Sequence, residues 1–170
     1  MEPINNLRDL FIELLKDRFD SEQQQVEAFP KLMREASSTE LKHMIQNSID
    51  CSARHIFKLK GIFRKVKMYP EGDICEASLS MINEIWKLME RSTNPDVKDA
   101  AIITAIQHIH HYDIAGYGSL SAYAKALGYY ESSHILHDML EEEKEMDTAL
   151  KMMAVESVNT KANKESIDDY

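Results

Sequence analysis

The sequence predicts an all-α protein, a four-helix bundle with a short fifth helix in the connection between its two hairpins. Three observations favour this class. The 5 glycines and 4 prolines make up only 9 of the 170 residues, which leaves few turns for the many short connections of a β fold. Apolar residues recur at spacings of three and four, as on one face of an amphipathic helix. Five such stripes are separated by turn-forming residues.

The first two helices form a hairpin. An apolar stripe predicts helix 1 over residues 5–34. Ser37–Thr39 supplies polar N-cap candidates, and a second stripe carries helix 2 to about Lys67. Because the turn between them is short, we expect the two helices to be antiparallel neighbours.

The third stripe is shorter than the others. Pro70 and Gly72 predict a turn after helix 2, and apolar residues from Ile74 to Met89 then mark helix 3. A helix of this length fits within a connection between two hairpins.

Two long helices form the second hairpin. The fourth stripe runs from Asp96 to about Leu127, and a turn at Gly128 separates it from the fifth. Two antiparallel hairpins joined by one long crossover are the ferritin-like arrangement. We expect this domain to span residues 1–156 and the polar tail, residues 157–170, to be unstructured because it has little apolar surface to bury.

Composition limits the classes of function. With 20 Lys and Arg against 29 Asp and Glu, the net charge is −9, which argues against binding of nucleic acid. No stretch approaches the roughly 18 apolar residues of a membrane-spanning helix, and the N-terminus lacks the profile of a signal peptide. Cys51 and Cys75 are too few for a disulfide framework. We therefore expect a cytoplasmic protein with no membrane partner.

Several polar residues lie on the apolar faces of the predicted helices, where an unpaired charge costs several kcal/mol. They are Glu22 on helix 1; Ser48, Ser52 and His55 on helix 2; His110 and Asp113 on helix 4; and Glu143 on helix 5. Counted from the hairpin turns, the inward acids of both hairpins lie 14 to 16 residues along their helices. This depth is near the middle of the bundle, where carboxylate-bridged metal sites of such bundles lie.

Each acid taken alone has another explanation, because a boundary carboxylate can reach water along the helix surface. The usual ferritin-like site also contains two Glu-x-x-His pairs. The two such pairs in this chain, Glu40-x-x-His43 and Glu131-x-x-His134, lie beside the hairpin turns and not at this depth. His110 and Asp113 have the same three-residue spacing as such a pair, but a histidine comes first and an aspartate second. Successive residues of a helix point about 100° apart, so at most one or two of His108, His110 and His111 can face a common ion.

Short segments spread along the chain resemble one known family. The most specific is His-Tyr-Asp-Ile-Ala-Gly-Tyr-Gly at His111–Gly118. The others are Leu7–Phe11, Asp20–Gln23, Phe29–Met33, Cys75–Ala77, Asp99–Ile102 and Leu140–Lys144. On these segments the chain resembles the YciE/YciF-like family of bacterial ferritin-like stress proteins, to about Ala154. The resemblance implies a rubrerythrin-like bundle, commonly dimeric and linked to stress responses.

The resemblance also bears on the inward polar residues. Glu22, Asp113 and Glu143 match acidic positions of the family. His110 and Asp113 stand where its usual pattern has two glutamates, and Ser48 stands where histidine is common.

Two hypotheses about function remain open. In the first, the protein binds iron or manganese and acts on the metal, peroxide or related oxidants. The candidate ligands are Glu22, His55, His110, Asp113 and Glu143. In the second, the protein is a metal-free structural or interaction protein whose inward polar groups form a hydrogen-bond network. In both we expect a homodimer formed through apolar residues of the crossover such as Trp86 and Met89.

Overall fold

The computed structural model describes residues 3–164, which form six α-helices and one π-helical segment, with no strand in that range. The helices are α1, Leu7–Glu35; α2, Thr39–Val66; α3, Glu76–Arg91; α4, Pro95–Ala126; α5, Tyr130–Met153; and α6, Asn159–Lys164. The π-helical segment, Ala154–Val158, joins α5 to α6. The all-α prediction is confirmed, and the first five helices lie close to their expected bounds. Within the same range, every helix falls short of the length and apolar character needed to cross a bilayer.

Capping side chains fix where the long helices begin. The side chains of Asn6, Ser38 and Asn94 accept backbone N–H groups in the first turns of α1, α2 and α4. These bonds satisfy donors that have no partner inside the helix. At its other end α2 stops at Lys67, which takes a left-handed φ of 55° and so turns the chain out of the helix.

The helices pair as the sequence predicts. α1 packs mainly against α2, α4 packs mainly against α5, and α3 packs against α4 and α1 within the crossover. Asp99 of α4 ties the two hairpins together, since its carboxylate accepts the N–H groups of Ser37 and Ser38 at 2.7 and 2.9 Å. The crossover is tied to α1 by Asp20, whose carboxylate accepts the N–H of Cys75 at 2.7 Å.

A polar layer divides the apolar core into two clusters. One cluster, which we call the α3-side cluster, contains Phe29, Ile45 and Ile106. The other contains Phe11 and Phe63. The main buried polar residues between them are Arg18, Glu22, Gln25, Ser48, Ser52, His55, His110, Asp113 and Glu143. Residue counts from the turns predicted polar side chains at this depth, and the structure places them there.

Two expectations differ from the structure. The predicted unstructured tail is helical from residue 157 to Lys164, because Val158 is 4% exposed and packs into the α3-side cluster. The rest of that tail, 165–170, lies outside the described residues. Met89 was expected at a dimer interface but is 4% exposed, since α3 turns its own apolar face onto the same cluster. Trp86 is half-buried against it.

Candidate metal centre

The five predicted ligands all lie inside the polar layer. Glu22, His55, His110, Asp113 and Glu143 each expose 1% or less of their surface. They come from α1, α2, α4 and α5, so the centre forms only when both hairpins pack together. Their burial is confirmed, and their role as metal ligands stays a prediction.

His55 lies between acidic side chains from two helices. Its Nδ1 is 2.9 Å from an oxygen of Glu22 and 3.3 Å from an oxygen of Glu143, and its Nε2 is 2.9 Å from an oxygen of Glu142. Burial by itself lowers the pKa of His55, but hydrogen bonds to Cys51 and Glu22 raise that pKa to about 11. His55 is therefore an imidazolium at neutral pH as long as no metal displaces its proton.

The second imidazole, that of His110, pairs with the carboxylate on α5. Its Nδ1 is 2.5 Å from an oxygen of Glu143, and its Nε2 is 3.4 Å from the hydroxyl of Ser48. Burial lowers the pKa of His110, but the hydrogen bond and the charge of Glu143 outweigh burial and raise it. Glu143 thus lies between the two histidines.

Asp113 is held by two side chains to which the sequence analysis gave no role. The guanidinium of Arg18 donates to Oδ1 of Asp113, and the amide of Gln25 donates to Oδ2 at 2.7 Å. Burial raises the pKa of Asp113 to about 8, although the charge of Arg18 acts in the opposite direction. Cζ of Arg18 also lies 3.8 Å from the centre of the Tyr112 ring, which fixes the guanidinium plane.

Within residues 3–164, Glu22 finds hydrogen-bond partners for only one of its two oxygens. Oε1 accepts from the hydroxyl of Tyr117 and from Nδ1 of His55. Oε2 is buried and has no hydrogen-bond partner among the described residues. Burial raises the pKa of Glu22, but the hydrogen bonds to His55 and Tyr117 outweigh it and lower the pKa. Among the described residues, Glu22 is therefore a carboxylate with one unpartnered oxygen inside the bundle.

Oxygens of three carboxylates approach each other closely enough to share an ion. Glu22, Asp113 and Glu143 each place one oxygen within 4.8 Å of the other two. Carboxylate and imidazole ligands suit Fe²⁺ and Mn²⁺, so the donor set fits these ions. Because Arg18 already places a positive charge against Asp113, charge balance favours one divalent ion over the pair that occupies ferritin-like sites.

The residues that the sequence analysis missed follow a simple spacing. Arg18 precedes Glu22 by one helical turn, and Gln25 follows Glu22 by three residues. Tyr117 follows Asp113 by one turn. Side chains three or four residues apart share a helix face, so polar residues at these offsets from an inward acid were the available signal.

Comparison with known proteins agrees with this architecture. Residues 6–163 match a family described as "Domain of unknown function (DUF892)". The chain belongs to this family. It is 32% identical over 164 residues to Protein YciF of Escherichia coli strain K12, covering 94% of this chain and 96% of YciF.

Solved structures of two related proteins have the same fold. The crystal structure of the E. coli stress protein YciF matches with a TM-score of 0.88 and 31% identity, covering 92% of this chain and 99% of that chain. The structure of YcfI from Rhodopseudomonas palustris matches with a TM-score of 0.85 and 31% identity, covering 88% of this chain and 96% of that chain. The resemblance to YciE/YciF-like proteins is confirmed, and with it the helical bundle.

Proposed function

We propose that this DUF892 protein is a ferritin-like stress-response protein that binds one Fe²⁺ or Mn²⁺ ion in its polar layer. The observation that carries the proposal is Oε2 of Glu22, a buried carboxylate oxygen without a hydrogen-bond partner among the described residues. Leaving such an atom unpaired costs free energy, and a cation between the carboxylates of Glu22, Asp113 and Glu143 would satisfy it. The ion would supply the redox chemistry toward oxidants.

The surrounding side chains suit an exchange of protons for a metal ion. The basic side chains of the layer are Arg18, His55 and His110, and they face Asp113, Glu22 and Glu143, respectively. A divalent ion would displace the proton on His55 and the proton that burial favours on Asp113, since the pKa values of both groups are raised. Neutral His55 and His110 would then be available as nitrogen ligands.

Thermal melts under anaerobic conditions test this proposal. We expect Mn²⁺ or Fe²⁺ to raise the melting temperature of the wild-type protein and to have no effect on Glu22→Gln, which lacks one ligand. An ion at 100 times its Kd stabilises by about 2.7 kcal/mol, or about 5–10 °C for a domain of this size. Glu27→Gln is the matched control because Glu27 lies on the same helix and is exposed. Equal metal responses in wild type and Glu22→Gln would contradict the assignment of Glu22.

A second candidate function is a metal-free structural role, favoured by the ion pair of Arg18 with Asp113. This pair places an internal cation among the acids, so the layer can balance its charges without an ion. In that case neither protein responds to metal. Glu22→Gln then lowers the stability, because the contacts of Glu22 with His55 and Tyr117 favour its charged form, as its lowered pKa shows.

We further propose that the protein is a cytoplasmic homodimer. Both cysteines are buried thiols, consistent with a reducing compartment. The crossover and α3 expose Tyr69, Ile74 and Leu88, which give the crossover apolar surface for an interface. Sedimentation that finds a monomer at tens of micromolar would contradict the dimer.

A further inference from the structure

The imidazole of His55 faces two groups of side chains through its two nitrogens. Nδ1 points to the acids of the polar layer, and Nε2 points into the seam between α2 and α5. In the seam, Sγ of Cys51 is 3.5 Å from Nε2 of His55 and 3.6 Å from Oε2 of Glu142. Nε2 is 2.9 Å from the same oxygen. A sulfur, a nitrogen and an oxygen atom, each able to bind a metal ion, therefore lie within 3.6 Å of one another.

Two of these three separations match those of a tetrahedral zinc ligand set. With Zn–S bonds of about 2.3 Å and Zn–N and Zn–O bonds of about 2.0–2.1 Å, a tetrahedron places S about 3.5 Å from N or O. The two distances to Sγ of Cys51, 3.5 and 3.6 Å, agree with this value. The tetrahedral N to O separation is about 3.3 Å, so the 2.9 Å contact between His55 and Glu142 lengthens slightly when an ion replaces the shared proton.

The sequence places these donors on two rigid helices. Cys51 and His55 are four residues apart on α2, so their side chains lie on the same face. Glu142 reaches them from the facing helix α5. Cys51 and His55 are 2% and 0% exposed, which fixes both donors in the core.

Neighbouring groups orient the donors in the way that metal sites require. Oε1 of Glu22 accepts a hydrogen bond from Nδ1 of His55, which leaves Nε2 for a metal in the carboxylate–histidine–metal arrangement. Nζ of Lys58 binds Oε1 of Glu142 at 2.5 Å, which leaves Oε2 facing the thiol. The side chains of Lys58 and Glu142 are 28% and 33% exposed, so an ion can enter from solvent.

We infer that Cys51, His55 and Glu142 form a zinc site with an open fourth position toward solvent. A thiolate, an imidazole and a carboxylate favour Zn²⁺, which is softer than the ions that prefer all-oxygen sites. On binding, the thiol proton of Cys51 and the Nε2 proton of His55 pass to solvent, and S–Zn and N–Zn bonds replace them. The inference does not rest on the proposed function. The seam ion takes Nε2 of His55 while Nδ1 keeps its proton toward Glu22, and His110 is then the nitrogen ligand left for a central ion.

Cobalt and zinc titrations test the seam site. Co²⁺ bound to a thiolate gives a charge-transfer band in the near ultraviolet, and we expect this band in the wild-type protein. Cys51→Ser should lose the band and bind Zn²⁺ more than about 100-fold more weakly, since even outer-shell changes cost 10–100-fold. Cys75→Ser is the matched control, because Cys75 is equally buried but contacts Tyr112. Absence of the band in wild type, or its survival in Cys51→Ser, would overturn the inference.

A measurement on the wild-type chain covers the case in which Cys51→Ser does not fold. The alkylation rate of each cysteine, followed by peptide mass spectrometry, should fall with Zn²⁺ at Cys51 and stay the same at Cys75. Equal rates at Cys51 with and without Zn²⁺ would also overturn the inference. Asp113→Asn separates the two sites, because it weakens Mn²⁺ binding by the central carboxylates and leaves the cobalt band in place.

Discussion

Gly116 and Gly61 offer a matched pair of substitutions that tests the position of Arg18. Both glycines lie inside long helices, Gly61 in α2 and Gly116 in α4. A Cβ added at Gly61 meets nothing within 4 Å, whereas one at Gly116 lies 2.8 Å from Cδ and 3.0 Å from Nε of Arg18. Arg18 cannot change its side-chain conformation freely, because its guanidinium is ion-paired with Asp113 and stacked on the ring of Tyr112.

The difference between the two alanine variants isolates this clash. Replacing glycine by alanine inside a helix adds about 1 kcal/mol of stability, and this gain is common to both positions. Overpacking against a buried side chain costs about 1–3 kcal/mol, and this cost applies only at Gly116, whose added Cβ meets buried Arg18. We therefore expect Gly61→Ala to stabilise the protein by up to about 1 kcal/mol and to exceed Gly116→Ala in stability by about 1–3 kcal/mol.

Urea denaturation followed by circular dichroism measures both free energies of unfolding. The free energy of unfolding falls linearly with urea, so a difference of about 1 kcal/mol in that free energy appears as a measurable shift of the urea midpoint. Equal stabilisation by Gly116→Ala and Gly61→Ala would show that Arg18 is not held against α4. The ion pair of Arg18 with Asp113 would then have no support.

Three further predictions concern the polar layer and the hairpin connection. Tyr117→Phe removes the hydroxyl that donates to buried Glu22 and should lower the free energy of unfolding by about 1–3 kcal/mol; an unchanged urea midpoint would contradict this. Asp99→Ala removes the acceptor of the N–H and hydroxyl of Ser37 and should cost a similar amount, about 1–3 kcal/mol, which a thermal melt can check. The pKa of His55 rises from 6.5 to about 11 on folding of the metal-free protein. The protonated imidazole therefore contributes its full stabilisation below about pH 6.5, and this stabilisation is lost as the pH rises toward 11. The melting temperature in the presence of a chelator should fall across this window, and a flat profile that His55→Gln does not change would refute the assignment.

The sequence by itself determined the helices, their pairing and the depth of the inward acids. An apolar stripe with a period of 3.6 residues identifies a helix and its buried face from local information. Short turns make α1 with α2, and α4 with α5, antiparallel neighbours. Counting residues from those turns then placed Glu22, Asp113 and Glu143 at one level, and the structure buries all three there.

Only the tertiary structure decided which polar side chains pair within that level. The contacts of Arg18 with Asp113, and of Cys51 with Glu142, join residues 95 and 91 positions apart. They depend on how far each helix is rotated and shifted along its neighbour, and a stripe of apolar residues fixes that rotation only to within the width of the face. Consecutive positions on a helix point about 100° apart, so a rotation of α5 about its axis by that angle would decide whether Glu143 or Glu142 faces the carboxylate cluster. The packing of all four long helices selects Glu143 for the core and leaves Glu142 at the seam, which is why the seam site could not be read from spacing along the chain.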